Sequence, residues 1–339
     1  MQIPKTIEAF VLRQEGSDFS ESKVTSQVTA GVTSFPADLV DSGDVWIKVD
    51  YSAVNYKDGL AAQGHPGVAR KLPLIPGIDA VGRVVESGDP RFSVGEPVLV
   101  AHAKFGTAHH GGWASHLCVP GDWVFPLPPG MDQKQVATYG TAGFTAAQSV
   151  EKILDQGIRP ADGPVLVTGA TGGVGTFAVK ILAKLGYTVV ACSGKSERYQ
   201  WLREHGASDV ISRDEVNDTG KAPLLKGRWA AAVDTVGGNA LATVLKSCLP
   251  HACVTACGMV AGHELPITVY PFILRGVTLC GIDSAGITRE VRQRMWNRIA
   301  EQWDFDVSTL SSEIGISELP EAVDKIIKGQ SAGRTLVKF

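Results

Sequence analysis

The chain has 339 residues, too many for one ordinary hydrophobic core, so two domains are the expectation, with a single α/β barrel the alternative that length alone allows. Its 32 basic and 35 acidic side chains leave a formal charge of −3, and no lysine or arginine block exceeds two residues, which argues against a nucleic-acid partner or a polybasic membrane surface. A small-molecule substrate is the expectation.

The N-terminal stretch MQIPKTIEAFVLRQEG places Glu8 and Glu15 among short apolar pieces, unlike a secretory leader, and no run of about 18 apolar residues occurs anywhere, so a cytoplasmic chain with no membrane partner is expected. Through roughly the first 130 residues the texture is that of strands, with helical period nearly absent. DVWIKVDYSAV alternates from Val45, and GRVVESG, GEPVLVA and WASHLCVP follow, punctuated by glycine and proline. From about Gly163 the texture changes. VLVT, VVAC, DVIS, AAVDTVG, VTACG and VTLCGI are apolar runs with helical segments between most of them, the pattern of a parallel sheet. The first of those helices aligns Val174, Phe177, Ala178, Ile181, Leu182 and Leu185 on one stripe, and Gly186 stops it. After Ser284 an amphipathic helix, TREVRQRMWNRIAEQW, leads to a closing strand RTLVKF, read as a return to the first domain. The six cysteines (Cys118, Cys192, Cys248, Cys253, Cys257, Cys280) are scattered through strand-like segments and read as reduced core thiols.

The segment VLVTGATGGVGTFAVKIL reads as strand, glycine turn and helix. A pyrophosphate needs backbone N–H groups at a helix N-terminus and close approach of the backbone, so Thr171, Gly172, Gly173, Val174 and Gly175 are candidate dinucleotide contacts. The next strand ends VVACSGKSER, with Ser193, Gly194 and Lys195 where an acid would select NAD. A serine hydroxyl can donate to a 2′-phosphate there, and Lys195, with Arg198 or Arg213, can neutralise it. NADPH is the expected cofactor.

NYKDGLA (Asn55 to Ala61), PGIDAVG (Pro76 to Gly82), the GATGGVG turn, DTVGG (Asp234 to Gly238) and the tail GRTLVKF occur in that order. In this the chain resembles the medium-chain dehydrogenase/reductase superfamily, over nearly its whole length. It is similar in particular to the zinc-free quinone-oxidoreductase branch with the NADPH-dependent acryloyl-CoA reductases, through NYKDGLA, GDW (Gly121 to Trp123), GTAGFTA (Gly140 to Ala146) and VYPFILRGV. The resemblance implies an α/β fold: a Rossmann doubly wound parallel sheet over 138–285, and a GroES-like, mostly β catalytic domain over 1–137 with 286–339. Zinc-dependent relatives carry a cysteine near the NYKD position and a histidine directly after the glycine of the PGID position. Asn55 and Ile78 stand there and supply no zinc ligand. Four closely spaced cysteines for a structural zinc loop are missing too. His109, His110 and His116 are the alternative metal cluster; a glycine-rich loop with surface imidazoles is the favoured reading. Cys253 and Cys257 offer only two ligands, so no metal is expected.

Without a Lewis acid the substrate must bring its own electron sink, as a conjugated carbonyl does. The resemblance makes Tyr56 the candidate hydroxyl at the nicotinamide end, with a packed interface aromatic as the alternative. Asn55, Lys57 and Asp58 are further candidates, with capping of the next turn as the alternative. Related enoyl reductases carry a tyrosine near where this chain has His65 and Pro66, so the proton donor is left open. By position, Cys257 to Met259 and Ile282 to Ser284 should flank the nicotinamide, making Met259, Ile282 and Ser284 cofactor candidates. Arg334 either reaches the cofactor or lies on the surface.

Three functions follow: an NADPH-dependent reductase of a short enoyl-CoA, acryloyl-CoA to propionyl-CoA foremost; a quinone or enone reductase; and a cofactor-binding protein without turnover. The strand Val277 to Ile282, sixth and at a sheet edge, invites pairing with another chain, and the resemblance implies a homodimer in which two such edges meet across a two-fold axis, with coverage by a loop or the first domain as the alternative. Proline at Thr278 or Cys280, whichever directs its N–H outward, should weaken that pairing.

Overall fold

The computed structural model describes residues 3–19 and 27–339. The chain divides into two compact units, Met1–Thr141 with Ala285–Phe339, and Ala142–Ser284. The first boundary falls a few residues later than the sequence suggests because the amide and hydroxyl of Thr141 both donate to Asp79, deep in the first unit.

The first unit opens with β1 (Thr6–Gln14) and β2 (Val28–Pro36), an antiparallel pair. Next come β3 (Val45–Val54), α1 (Tyr56–Ala62), β4 (Ala80–Ser87), β5 (Pro97–Val100), β6 (His116–Val119) and β7 (Val124–Pro126). The alternation read from Val45 holds through Val49, with Val45, Ile47 and Val49 fully buried, and is lost where later residues of β3 are buried on both faces. α1 is a helix in a stretch that reads as all-β. Asn55 is its N-cap in a capping box with Asp58, and seven residues are too few to display a helical period.

α2 (Gln133–Asp155) is broken at Gly140 and carries the chain into the second unit. There β8 (Val165–Val167), α3 (Gly173–Lys184), β9 (Val189–Ser193), α4 (Tyr199–Glu204), β10 (Asp209–Ser212), β11 (Trp229–Asp234), α5 (Gly238–Lys246), β12 (Cys248–Ala256), α6 (Tyr270–Arg275) and β13 (Thr278–Gly281) alternate strands and helices. The strand order is β10-β9-β8-β11-β12-β13, with every pairing parallel. That is the doubly wound dinucleotide-binding order, and it makes β13 an edge. The stripe on α3 is buried through Phe177, Ala178, Ile181 and Leu182, while Val174 and Leu185 at its ends are half-buried.

The first unit is completed by α7 (Arg289–Gln302), β14 (Ser311–Gly315), α8 (Leu319–Ile327) and β15 (Arg334–Lys338). β15 pairs antiparallel with β3, which places the closing strand in the sheet β14-β15-β3-β4-β5-β7. All six cysteines are free thiols. Burial pushes the thiols of Cys192 and Cys248 up to about 12, so they are inert at neutral pH. No helix among the described residues is long and apolar enough to cross a membrane.

Candidate cofactor and catalytic sites

The turn between β8 and α3 is built by contacts that leave no room for side chains. Gly169 has φ +58°, and a Cβ there would lie 2.3 Å from Thr235 Oγ1; a Cβ on Gly175 would lie 2.4 Å from the Gly169 carbonyl. Beneath the turn, Thr168 Oγ1 donates to Asp234 Oδ1 at 2.8 Å and accepts the Thr235 N–H at 3.0 Å. Asp234 Oδ2 accepts the Gly237 N–H at 2.8 Å, and Thr235 Oγ1 donates to the Thr168 carbonyl at 2.9 Å. The N-cap, Gly172, makes no side-chain cap, so the leading N–H groups of α3 at Gly173, Val174 and Gly175 have no helical partner and suit a pyrophosphate.

At the end of β9, Ser193 is only 3% exposed. Its hydroxyl accepts the Lys195 N–H at 3.1 Å and lies 3.3 Å from the hydroxyl of buried Thr171. Ser193 and Thr171 therefore shape the turn from inside, where the sequence suggested a hydroxyl offered to a phosphate. The accessible groups are Gly194, half-buried Lys195 and exposed Arg213, whose guanidinium carbon is 3.6 Å from where a Gly194 Cβ would sit. Burial pulls the Lys195 pKa down and neighbouring Arg198 adds to this against the opposing Glu197. A bound anion would offset both downward effects.

The C-terminal ends of β12 and β13 lie on the side where doubly wound sheets take ligands. The Cys257 N–H donates to the Asp234 carbonyl at 3.0 Å, and Met259 beyond it is 58% exposed. The Ile282 N–H donates to the Ala256 carbonyl at 3.0 Å, and Ser284 Oγ accepts from Thr145 Oγ1 at 2.8 Å.

The first unit holds a buried polar cluster of a different kind. Arg334 is 3% exposed and donates through all three nitrogens: Nε to the Thr138 carbonyl (3.0 Å), Nη1 to Asn55 Oδ1 (2.8 Å) and Nη2 to Asp79 Oδ2 (3.1 Å). It is neither a surface arginine nor, with so little accessible surface, a residue with a face to offer a cofactor. Asp58 is fully buried. Its Oδ2 accepts from the Asn55 backbone (2.9 Å) and Nδ2 (3.0 Å), and its Oδ1 accepts from the Ile78 N–H (2.8 Å). That occupancy makes Asp58 a capping residue in place of the catalytic role suggested for it. Asn55, half-buried, has its amide committed to Asp58, Asp79 and Arg334. Burial foremost, with the nearby Asp79 charge, pushes the Asp58 pKa up to about 7, against the donations from Asn55 and Ile78. Tyr56, half-buried at the start of α1, makes no side-chain hydrogen bond to a described residue. Asp79, Thr138 and Thr141 escaped the sequence reading; a lone acid inside the apolar PGIDAVG was the available signal for Asp79.

The alcohol dehydrogenase GroES-like domain family matches residues 41–129, and the zinc-binding dehydrogenase family matches residues 173–301. The chain is a medium-chain dehydrogenase/reductase. The Escherichia coli K12 protein called probable acrylyl-CoA reductase AcuI is 44% identical over 310 residues, 91% of this chain and 95% of that protein. The Bacillus subtilis protein called putative quinone oxidoreductase YhfP is 43% identical over 319 residues, 94% of this chain and 97% of that protein. The yhdH oxidoreductase from Salmonella enterica, solved in complex with NADP, superposes with a TM-score of 0.91 at 41% identity, covering 98% of this chain and 99% of that one.

One matching family is described by zinc, but the residues of this medium-chain dehydrogenase/reductase do not fit a catalytic zinc ion. Asn55 and Ile78 offer neither thiolate nor imidazole, and three of the four oxygens of Asp58 and Asp79 accept from N–H or O–H groups alone. The fourth, Asp79 Oδ2, lies 3.1 Å from the Arg334 guanidinium, which already neutralises it. Among the described residues no three His, Cys, Asp or Glu side chains converge. His109 and His110 are buried, contrary to the surface imidazoles read from the sequence. His110 Nδ1 accepts the Ile75 N–H at 3.1 Å, and burial pulls its pKa down to about 3.

Proposed function

We propose that this medium-chain dehydrogenase/reductase uses NADPH to reduce the activated C=C bond of a short enoyl-CoA, acryloyl-CoA to propionyl-CoA foremost. The observation that carries the reading is the end of β9, where Lys195 and Arg213 flank Gly194 and Ser193 stands in place of the acid that selects NAD. NADPH, when bound, supplies a hydride to the β-carbon of the acyl group. The N–H groups of Gly173, Val174 and Gly175 hold the pyrophosphate, and Lys195 with Arg213 holds the 2′-phosphate. Met259, Ile282 and Ser284, at or beyond strand ends, border the nicotinamide. Tyr56 has an uncommitted phenol for the oxyanion that develops on the substrate carbonyl, and Asn55 and Asp58 fix the helix that carries it. No proton donor to the α-carbon is assigned. The chain works as a homodimer in the cytoplasm, in keeping with the open β13 edge and six free thiols.

A quinone reductase is the second reading, favoured by the name of the B. subtilis relative. NADPH oxidation measured side by side with acryloyl-CoA, crotonyl-CoA and a simple quinone separates the two. Turnover highest with acryloyl-CoA supports the proposal, turnover with the quinone alone overturns it, and NADPH binding without turnover on any of the three leaves a binding protein.

A further inference from the structure

The break in α2 is a backbone conformation open to glycine alone. Gly140 has φ 45° and ψ −154°, and a Cβ there would lie 2.6 Å from Asp79 Oδ2 and 2.8 Å from Arg334 Nη2. Breaking a buried helix deprives neighbouring peptide groups of their i to i−4 partners, and these must be satisfied elsewhere. Here the same ion pair satisfies both sides of the break. Before it, the Thr138 carbonyl accepts Arg334 Nε at 3.0 Å. After it, the Thr141 N–H and hydroxyl donate to Asp79 Oδ1 at 2.8 and 2.7 Å. The two halves are joined by the 3.1 Å contact between Arg334 and Asp79.

The pair also reaches a third place. Asn55, the N-cap of α1, accepts Arg334 Nη1 at 2.8 Å and donates Nδ2 to Asp79 Oδ2 at 2.9 Å. One guanidinium and one carboxylate therefore tie the break at Gly140 to the residue immediately before Tyr56. Lysine could not reproduce this, because a single ammonium cannot reach three acceptors held on three different segments in the plane of a guanidinium. The Asp79 backbone is anchored in turn, its carbonyl accepting Ser52 Oγ at 2.6 Å.

We infer that Asp79 and Arg334 are positioning residues that lock the break at Gly140 to the start of α1, so that Tyr56 and Thr141 keep one fixed spacing within the first unit. The inference rests on the reading of Tyr56 as the hydroxyl at the reacting end, but the lock itself is read without any substrate. Neither residue needs to touch the reacting atoms. Loss of the lock should act on turnover, with NADPH affinity, set in the second unit, left alone.

The test is Arg334→Lys in the full NADPH-loaded protein, read by hydrogen–deuterium exchange and steady-state kinetics. Exchange in the segment 138–141 is expected to accelerate at least about tenfold while the segment 169–175 is unchanged. With the best substrate of the three-compound panel, kcat is expected to fall at least about tenfold while the NADPH Kd stays within about twofold. Thr141→Val removes one hydroxyl contact, keeps the amide bond, and should move both readouts the same way by less, which covers the case of an Arg334 variant that does not fold. Unchanged exchange at 138–141 in both variants would overturn the lock. Faster exchange with unchanged kcat would overturn its positioning role. Failure of the enoyl-CoA reading alone would appear as turnover on the quinone only, with the exchange result standing.

Discussion

Thr168, the residue after β8, and Asp234, the last of the adjacent parallel strand β11, share a hydrogen bond of 2.8 Å between Oγ1 and Oδ1, wholly out of solvent. Both residues are buried, and together they hold both turns against which the glycine turn is shaped. Asp234→Asn puts an NH2 group against either a hydroxyl donor or the Gly237 N–H, leaving a buried donor without its acceptor at a cost of about 1–3 kcal/mol. We expect a lower urea midpoint together with weaker NADPH binding, whereas Thr168→Ser, which keeps the hydroxyl, should retain both. Equal NADPH affinity in Asp234→Asn and wild type would show that the loop does not depend on this pair.

Cofactor choice should rest on Lys195 and Arg213. A 2′-phosphate held by a charge-assisted contact gains about 1.5–3 kcal/mol, which is roughly one to two decades in affinity. NADPH is therefore expected to outrun NADH by that margin at subsaturating concentration. Lys195→Ala should erode the preference and Arg213→Ala should erode it further. Specificity constants for the two cofactors decide the matter; equal values in the wild type would count against the assignment.

Asp58 gives a pH dependence of unusual sign. Its folded-state pKa, pushed up to about 7 from 3.8, means that the folded protein holds a proton which the unfolded chain releases. Stability from this group is greatest near pH 4 and is lost as pH rises towards 7, by at most a few kcal/mol. Buried His110, pulled down to about 3, acts oppositely, losing stability as pH falls below its unfolded value. The difference between wild type and Asp58→Asn removes the His110 contribution. Urea midpoints at pH 5 and pH 7.5 should show wild type losing more on going to the higher pH than the variant does. Parallel pH profiles would mean that Asp58 is ionised throughout.

Metal removal should change nothing. With Asp79 neutralised by Arg334 and, among the described residues, no three His, Cys, Asp or Glu side chains placed to hold a metal, exhaustive chelation is expected to leave turnover intact and the purified protein free of stoichiometric zinc. Activity lost on chelation and restored by zinc would place ligands elsewhere.

What the sequence disclosed and what it hid divide by distance along the chain. The glycine turn was legible because Gly169, Gly172, Gly173 and Gly175 answer to one local constraint, a strand turning into a helix with its N-terminus bare. The second sheet was legible because parallel strands buried on both faces read as apolar runs. The Asp79–Arg334 pair joins residues 255 positions apart, and no local pattern announces such a partner. Arg334 opens a short closing strand where a surface site is the ordinary reading, and its partners Thr138, Asn55 and Asp79, all distant in sequence, hold it inside. His109 and His110 misled for a related reason. The glycines around them suggest an open loop, but Asp41, far upstream, accepts the His110 N–H at 2.6 Å and draws the loop inward.

The edge strand β13 provides the last prediction, and its register corrects the site for the mutation. The Ile282 N–H points at β12, donating to Ala256. Alternation then turns the N–H groups of Cys280 and Thr278 toward β12 as well, so Leu279 and Gly281 are the outward donors. Leu279 also packs on the core of the second unit, so proline there would confound pairing with packing. Gly281 is exposed, and a Cβ on it would meet nothing within 4 Å, so Gly281→Pro removes an outward donor without a Cβ clash. Nearby, Val269, Tyr270, Ile273 and Leu274 lie exposed on and beside α6, Ile273 at 68%, an apolar surface of the kind a second copy would cover. Wild type is expected to sediment as a dimer at micromolar concentration, with edges paired across a two-fold axis, and Gly281→Pro to shift the equilibrium toward monomer at unchanged circular dichroism. A wild-type protein that is monomeric and fully active at that concentration would mean that the edge is protected without a partner.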